Sequence, residues 1–373
     1  MPIHRMDTKK LCIVLNLAPH YRKAIYQAID NEFDCDWYVG DHVDDIKTMF
    51  PADFRRCKVL KNRFLYKKNY FQVGICRLLF TKKYTKFLVT GDIRNISLWL
   101  FLLMSKIFPT KKVYLWTHGD NGQGGALKNI LKNIFARLSS GIFLYGNFAR
   151  DYMVANGINP NKLFVIHNSL DYQNQIKYRT DQGIENVYVQ HFRNNNPNVV
   201  FIGRLTSSKR LDMLITAVSI LKQRGVSLNV TLVGGGEEKK QLVDLVTKLS
   251  LDSNVWFYGP SYDEQHNATL LCCADICVSP GEVGLTAIHS MTYGTPVITH
   301  DNYQKQGPEF ESIIVGKTGD FFEYNNLISL VDTMEKWLCD HKDDREDVRQ
   351  YCMQEIDENW TPQYQIEVLK QHL

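Results

Sequence analysis

Several signals that would shortcut a functional assignment are missing from this chain. It has no low-complexity tract and no short-period repeat, which excludes fibrous and solenoid architectures. Nine cysteines are present, an odd number, and no two form a Cys-x-x-Cys pair. Several fall inside apolar runs, as buried thiols do, so the expectation is a reducing compartment without disulfides or a structural zinc. The net charge of +4 is too small by itself to mark a nucleic-acid binder. The most apolar run, Ile96 to Phe108, is interrupted by Ser105 and Lys106 and stops at Pro109. It is too short to cross a bilayer, and a buried helix is expected. The stretch from Met1 to Lys10 is polar and runs straight into a strand, which reads as no signal peptide. Val233-Gly234-Gly235-Gly236 lacks the Gly-Lys-Ser/Thr ending of a phosphate-binding P-loop, so an ATPase reading is weak.

What is present is a regular alternation of strands and helices. With 373 residues, about two domains are expected. Lys10 to Leu17, Phe33 to Val39, Phe87 to Thr90, Lys112 to Trp116, Gly141 to Tyr145 and Leu163 to Ile166 read as strands with helices between them. The pattern lapses between Asp181 and Asn198, which reads as connector, and restarts at Val199. Strands apolar on both faces imply parallel sheets covered on both sides. The fold class is therefore α/β: two Rossmann-like α/β/α domains whose parallel sheets face a central cleft. The expected boundaries are 1–180, 181–350 and a final helical stretch, 351–373, that can cross back to the first domain. In open α/β sheets ligands bind beyond the C-terminal ends of the strands.

The stretch Ser279 to Met291 is the centre of the second half. An apolar run ending at Val278 enters the turn Ser279-Pro280-Gly281-Glu282-Val283-Gly284, then a helix from Thr286 to Tyr293 that stops at Gly294. A Gly-rich turn opening onto a helix directs free backbone N–H groups at one point, which suits an anion. A second turn, Gly203-Arg204-Leu205-Thr206-Ser207-Ser208-Lys209, places two cations one loop apart after a buried strand, an arrangement that suits a diphosphate, although taken alone a surface ion pair with nearby carboxylates is the better reading. Gly234 and Gly235 let a ligand lie close to backbone. Tyr258-Gly259-Pro260 ends a strand that could edge a nucleobase, or be only a turn.

Taken together, Phe201-Ile202-Gly203-Arg204-Leu205…Lys209, Leu232-Val233-Gly234-Gly235-Gly236, Val255-Trp256-Phe257-Tyr258-Gly259 and Ser279-Pro280…Gly284-Leu285…Gly294-Thr295-Pro296-Val297-Ile298 resemble the C-terminal domain of family-4 retaining glycosyltransferases. The match covers roughly Asn198 to Ile298. Ile166-His167-Asn168-Ser169-Leu170-Asp171 and Pro19-His20-Tyr21-Arg22 resemble, more loosely, N-terminal turns of polysaccharide-assembly members. The resemblance implies the GT-B fold and a nucleotide-sugar donor, a UDP- or GDP-sugar, without cofactor or metal. By position it implies that Arg204 and Lys209 hold the donor diphosphate. Gly284, Leu285 and Thr286 would contact the sugar and distal phosphate, and His118 would line the transfer site. His20, Tyr21, Arg22 and Asn168 are the acceptor-side candidates. One departure stands out. The family's two glutamates, with seven residues between them, meet Gly281 and His289 here, with Glu282 one residue along. Glu282 and His289 therefore remain candidates for the sugar and ribose contacts. Glu309 and Glu311 could supply the missing carboxylate, although an acidic surface loop is the expectation for them.

Two further features have rival readings. Asp34-Cys35-Asp36 has the Asp-x-Asp form of metal-dependent transferases but sits inside a strand pattern, and chance is the better account. The basic stretch from Arg55 to Lys86 is interleaved with Phe64, Tyr66, Tyr70 and Phe71. It reads as a solvated face or as a patch for an anionic membrane surface, with Tyr70, Phe71 and Val73 as interfacial contacts; nucleic acid is not expected. The resulting expectation is a retaining, metal-independent glycosyltransferase. It would act on a saccharide or lipid-linked acceptor in bacterial surface-polysaccharide assembly, cytoplasmic and peripheral on the inner membrane face. An epimerase of the same fold and a catalytically degenerate binding protein are the rivals.

Overall fold

Strands buried on both faces can be satisfied only by a sheet covered above and below, and the chain builds two of them. A computed structural model of the protein describes residues 10–42, 48–65, 68–179 and 186–373. The polar stretch ahead of Lys10, Tyr66 and Lys67 of the basic stretch, and residues 181–185 of the connector lie outside the described residues. The first unit is Met1–Asp171 with Pro362–Leu373, and the second is Tyr172–Thr361.

In the first unit the strands are β1 (Lys10–Leu15), β2 (Cys35–Gly40), β3 (Cys57–Leu60), β4 (Asn62–Phe64), β5 (Tyr70–Gln72), β6 (Tyr84–Thr90), β7 (Lys112–Thr117), β8 (Gly141–Leu144) and β9 (Leu163–Val165). Seven form one sheet in the order β3-β2-β1-β6-β7-β8-β9, every neighbouring pair parallel, while β4 and β5 make a separate antiparallel pair. Successive side chains leave a strand on opposite faces. So Ile13 and Leu15 of β1 join the core under the helix Lys23–Glu32 and the last helix, Pro362–His372, while Cys12 and Val14 join the core under the helix Ile96–Ser105. The strand order reverses between β1 and β6, which opens a crevice beyond their C-terminal ends.

In the second unit β10 (Asn198–Ile202), β11 (Asn229–Val233), β12 (Val255–Gly259), β13 (Ile276–Ser279), β14 (Val297–His300) and β15 (Gly319–Phe322) form a parallel sheet ordered β12-β11-β10-β13-β14-β15. Its order reverses between β10 and β13. The loops that follow these two strands are Gly203–Lys209 and Pro280–Leu285, the two stretches singled out above.

The structure differs from the sequence reading at several points. The division falls at Asp171/Tyr172 rather than 180/181. The reason is Arg179, which donates to the Thr292 carbonyl at 2.6 Å and pairs with Asp357 at 2.7 Å. Of 351–373, only Pro362–Leu373 joins the first unit, where Gln365 donates to the His167 carbonyl at 2.8 Å and accepts the Ser169 hydroxyl at 2.6 Å. The expected connector contains a helix, Val187–Phe192, anchored by buried Tyr188, whose hydroxyl donates to the Leu270 carbonyl. The helix Ile96–Ser105 is buried on one side only, since Leu100 and Leu103 are 52% and 53% exposed. In the basic stretch Tyr70 is fully buried, and Arg55, Arg56 and Lys83 pair with Asp30, Asp34 and Asp36. That same set of pairs occupies both carboxylates of Asp34-Cys35-Asp36. No disulfide joins any of the nine cysteines. No described helix is long and apolar enough to cross a membrane.

Candidate functional site

The second-unit site is made chiefly of backbone. Three strand ends are laced together: Gly203 N–H donates to the Val233 carbonyl, Gly234 N–H to the Gly259 carbonyl and Leu205 N–H to the Gly235 carbonyl, each at 2.9 Å. A methyl group on Gly234 would stand 1.8 Å from the Gly203 carbonyl oxygen, so no side chain fits there. The Gly203–Lys209 loop is joined in turn to the loop after β13. Gly281 N–H donates to the Lys209 carbonyl at 3.0 Å, Glu282 N–H to the Ser208 carbonyl at 3.3 Å, and the Lys209 ammonium to the Glu282 carbonyl. Thr286 Oγ1 ties the following helix to the end of β10, donating to the Ile202 carbonyl at 2.8 Å. Gln306 accepts from Val283 N–H at 2.9 Å and donates to Thr299 Oγ1 and the His300 carbonyl, which fixes the turn from below.

Within this frame Gly284 adopts φ +53° with open space where a side chain would be. Among the described residues, the N–H groups of Gly284 and Leu285 have no acceptor. Arg204 is exposed and without an ion-pair partner among the described residues, while Lys209 is half-buried. Burial lowers the Lys209 pKa; the charges of Glu282 and Glu309 act against that lowering and the charge of Arg204 adds to it. The two cations and two carboxylates therefore form one electrostatic group. Its second carboxylate corrects the sequence reading, because Glu309 is not a surface residue but 3% exposed, on the short helical turn Pro308–Ser312. A methyl group on Gly307 would lie 2.8 Å from Glu309 Oε2, 3.1 Å from Gly284 Cα and 3.5 Å from Glu282 Oε1. Two carboxylates thus converge beside Gly284.

The structure also explains the displaced glutamate. A methyl group on Gly281 would stand 1.9 Å from the Ser208 carbonyl oxygen and 2.8 Å from Lys209 Cα, so a side chain at that register would push the two loops apart. At the other register, His289 Nε2 meets Glu264 Oε1 at 2.8 Å. Glu264 also accepts from the Tyr293 hydroxyl at 2.7 Å and from Gln175 at 3.2 Å. Burial alone would raise its pKa, but these hydrogen bonds and the nearby His289 hold it at about 2. Sequence reasoning missed Glu264, which lies in the first turn of a different helix, Glu264–Cys273. Tyr258 packs edge-on against Trp256 at 5.0 Å, and Trp256 stacks on His191 at 3.9 Å.

The first unit holds a cavity of about 410 Å³ at its own sheet reversal, lined by the loops after β1, β6 and β7. Tyr21, Arg22 and His118 line it. His20 is exposed and does not, and Asn168 reaches it only through a 3.2 Å hydrogen bond from Arg22. The His118 ring is accessible at the cavity wall and packs 4.8 Å from Tyr145, yet protein surrounds it closely. That desolvation, with the charge of Arg22, lowers its pKa to about 4. Among the described residues no group of three or more His, Cys, Asp or Glu is arranged to hold a metal ion.

Comparison with known proteins places these loops in context. Residues 185–354 match the family model described as glycosyl transferases group 1. A 41.2 kDa protein from the cps region of Klebsiella pneumoniae is 20% identical over 297 residues, 79% of this chain and 75% of that protein. A GDP-mannose-dependent α-(1-6)-phosphatidylinositol dimannoside mannosyltransferase of Mycobacterium tuberculosis is 33% identical over 103 residues, 27% of this chain and only 26% of the enzyme. Among solved structures, Anabaena HepE in complex with UDP superposes with a TM-score of 0.75 at 16% identity, covering 97% of this chain and 99% of that one. The lipopolysaccharide outer core galactosyltransferase WaaB does so with a TM-score of 0.74 at 11% identity, covering 98% and 100%. The chain has the GT-B fold, and its residues 185–354 match the glycosyl transferases group 1 model.

Proposed function

We propose that this protein transfers a sugar from a nucleotide-sugar donor to a saccharide or lipid-linked saccharide acceptor, with retention at the anomeric carbon and without a metal, in surface-polysaccharide assembly. The observation that carries the proposal is the pairing of Arg204 and Lys209 with the open Gly284 and Leu285 N–H groups on two loops held together by backbone hydrogen bonds. Breaking the anomeric C–O bond leaves negative charge on a nucleoside diphosphate. Two cations and two aligned N–H groups can stabilise it, and groups fixed before the reaction need no reorganisation during it. Glu282 and Glu309 face the same point and are placed to accept hydrogen bonds from sugar hydroxyls. Neutral His118 can accept or donate a hydrogen bond in the first-unit cavity, where the acceptor would lie.

The comparisons support the donor class: HepE is solved with UDP and with UDP-glucose. The cps-region relative supports the polysaccharide setting. A thermal-shift screen of UDP, GDP and their sugars tests donor binding, because a ligand of the folded state raises apparent stability. The expected result is a shift with one base and not the other; no shift with either would remove the proposal. Full transfer activity in EDTA is expected, and loss restored by magnesium or manganese would overturn the metal-independent part. Donor interconversion without acceptor would point to an epimerase, and donor binding without turnover to a degenerate binding protein.

A further inference from the structure

Among the described residues, Arg22 is a buried cation without a counter-charge. It is 8% exposed and follows β1 in the short helical turn His20–Arg22. Its guanidinium donates to Asn168 Oδ1 at 3.2 Å and lies 4.5 Å from the Tyr145 ring and 5.4 Å from the Trp116 ring. All of these partners are neutral, and among the described residues Arg22 makes no ion pair. The carboxylates on the cavity wall are already occupied: Asp92 pairs with Arg94 at 2.9 Å and Asp120 with Lys132 at 2.6 Å. With His118 neutral, the described residues leave one uncompensated positive charge among the largely apolar walls. Such a charge is costly to bury unless something pairs with it, and aromatic faces return only part of the cost.

We infer that the first-unit cavity binds a negatively charged group, a phosphate ester or a carboxylate, with Arg22 as its counter-charge. Calling that ligand the acceptor rests on the transfer reading; the anion site itself does not. The test is calorimetric titration of the full chain with glucose 1-phosphate, glucuronate and glucose, repeated with excess UDP to fill the second-unit loops. Expected is binding of a charged sugar at least tenfold tighter than glucose, retained in UDP, with the tighter of the two charged sugars naming the group. Arg22→Gln should abolish the preference. Because that variant can fail to fold, a second readout uses the wild type: the bound anion should raise the His118 pKa, followed by NMR titration. Equal affinity for charged and neutral sugars, binding of neither charged sugar, or binding lost in UDP with His118 unmoved would each overturn the inference. A chain that turns over no nucleotide sugar but keeps the charged preference would sink only the transfer reading.

A separate observation concerns the surface of the same unit. The helices Ile96–Ser105 and Ala126–Leu138 pack together through Trp99 and Phe135, with ring centroids 4.9 Å apart. Each turns an aliphatic stripe outward. Leu100, Leu103 and Ile107 are 52%, 53% and 75% exposed, and Leu127, Ile130 and Ile134 are 72%, 55% and 46% exposed. The spacing i, i+3, i+7 puts Leu127, Ile130 and Ile134 on one face of their helix, and Leu100 and Leu103 share a face of theirs, with Ile107 in the turn that follows it. The charge around them is mainly positive. Of the eight Lys and Arg between Asp92 and Asp151, Arg94, Lys132 and Arg150 pair with Asp92, Asp120 and Asp151, while Lys106, Lys112 and Lys128 make no ion pair among the described residues. Lys106 has Lys112 and Lys162 as charged neighbours and no carboxylate.

We propose that this face docks on an anionic lipid bilayer, the aliphatic stripes entering the interface and the lysines meeting lipid phosphates. This places membrane contact on the two helices rather than on the 55–86 stretch, where several cations are already paired. Co-sedimentation with phosphatidylcholine vesicles, with and without phosphatidylglycerol, is the test. Binding that needs phosphatidylglycerol, weakens with salt, and falls at least tenfold in Leu103→Asp/Ile130→Asp is expected; both side chains are exposed, so the fold should persist by circular dichroism. Binding indifferent to phosphatidylglycerol, or a concentration-dependent dimer that the same substitutions abolish, would overturn it.

Discussion

The two units place their positive charge at equivalent topological points, the sheet reversals, but build those points differently. In the first, side chains make the site: Arg22 is buried against aromatic rings in an apolar cavity. In the second, backbone makes it: glycines with no room for a side chain bring loops into direct hydrogen bonding, and Arg204 and Lys209 stand on top. A side-chain cavity can change its ligand one substitution at a time. A site of backbone N–H groups and close glycine contacts tolerates few changes, and it suits a ligand part common to many substrates, such as a diphosphate.

That contrast can be broken in order of expected effect. Lys209→Ala should lower turnover at saturating donor by at least about tenfold, since one well-placed donor to developing charge contributes on the order of 3 kcal/mol. Wild-type turnover would show that the second-unit cations do not act on the leaving group. Gly281→Ala should destabilise the second unit by roughly 1–3 kcal/mol in urea unfolding, because its methyl meets fixed backbone rather than a movable side chain. An unchanged midpoint would mean the loops separate without cost.

Glu264→Gln should cost on the order of 2–3 kcal/mol near neutral pH. The folded-state pKa of Glu264 is depressed from 4.5 to about 2, so the stability it contributes is present above 4.5 and lost as pH falls toward 2. The difference between wild type and variant should therefore shrink across that window; a difference independent of pH would refute the hydrogen-bonded carboxylate. The smallest effect concerns His118, whose NMR chemical shifts should stay flat between about pH 5.5 and 8 because the ring is already neutral there. A titration near 6.5 would show that the ring is fully hydrated and that Arg22 does not reach it.

Most of the strand order could be read from apolar runs ending in Gly or Pro. The second-unit loops could be read too, because the backbone contacts of Gly234 and Gly281 and the positive φ of Gly203 and Gly284 favour one residue type and leave a mark in the sequence. Side-chain relationships left no such mark. Glu264 lies 25 residues before His289, and nothing in either local sequence announces the bond between them. Glu309 looked like surface acid because Gly307-Pro308 reads as a turn; its burial depends on the packing of Gly284 and Gly307. The short strands β3, β4, β5 and β15 and the helix Arg345–Asn359 were not expected. The latter is highly charged, and it is held to its unit by Arg345 and Arg349 donating to the carbonyls of Ala274 and Tyr293.

The contact between Gly281 and the Ser208 carbonyl also bears on how this protein could be engineered. Writing the glutamate that the family resemblance implies into position 281 would not recreate that arrangement, since the main chain opposite already fills the volume. The 206–209 turn would have to be reshaped first, and any such redesign would carry the ammonium of Lys209 along with it. On the proposed function, substrate preference is more safely retuned at Glu282 and Glu309, whose carboxylates converge beside Gly284 and Gly307.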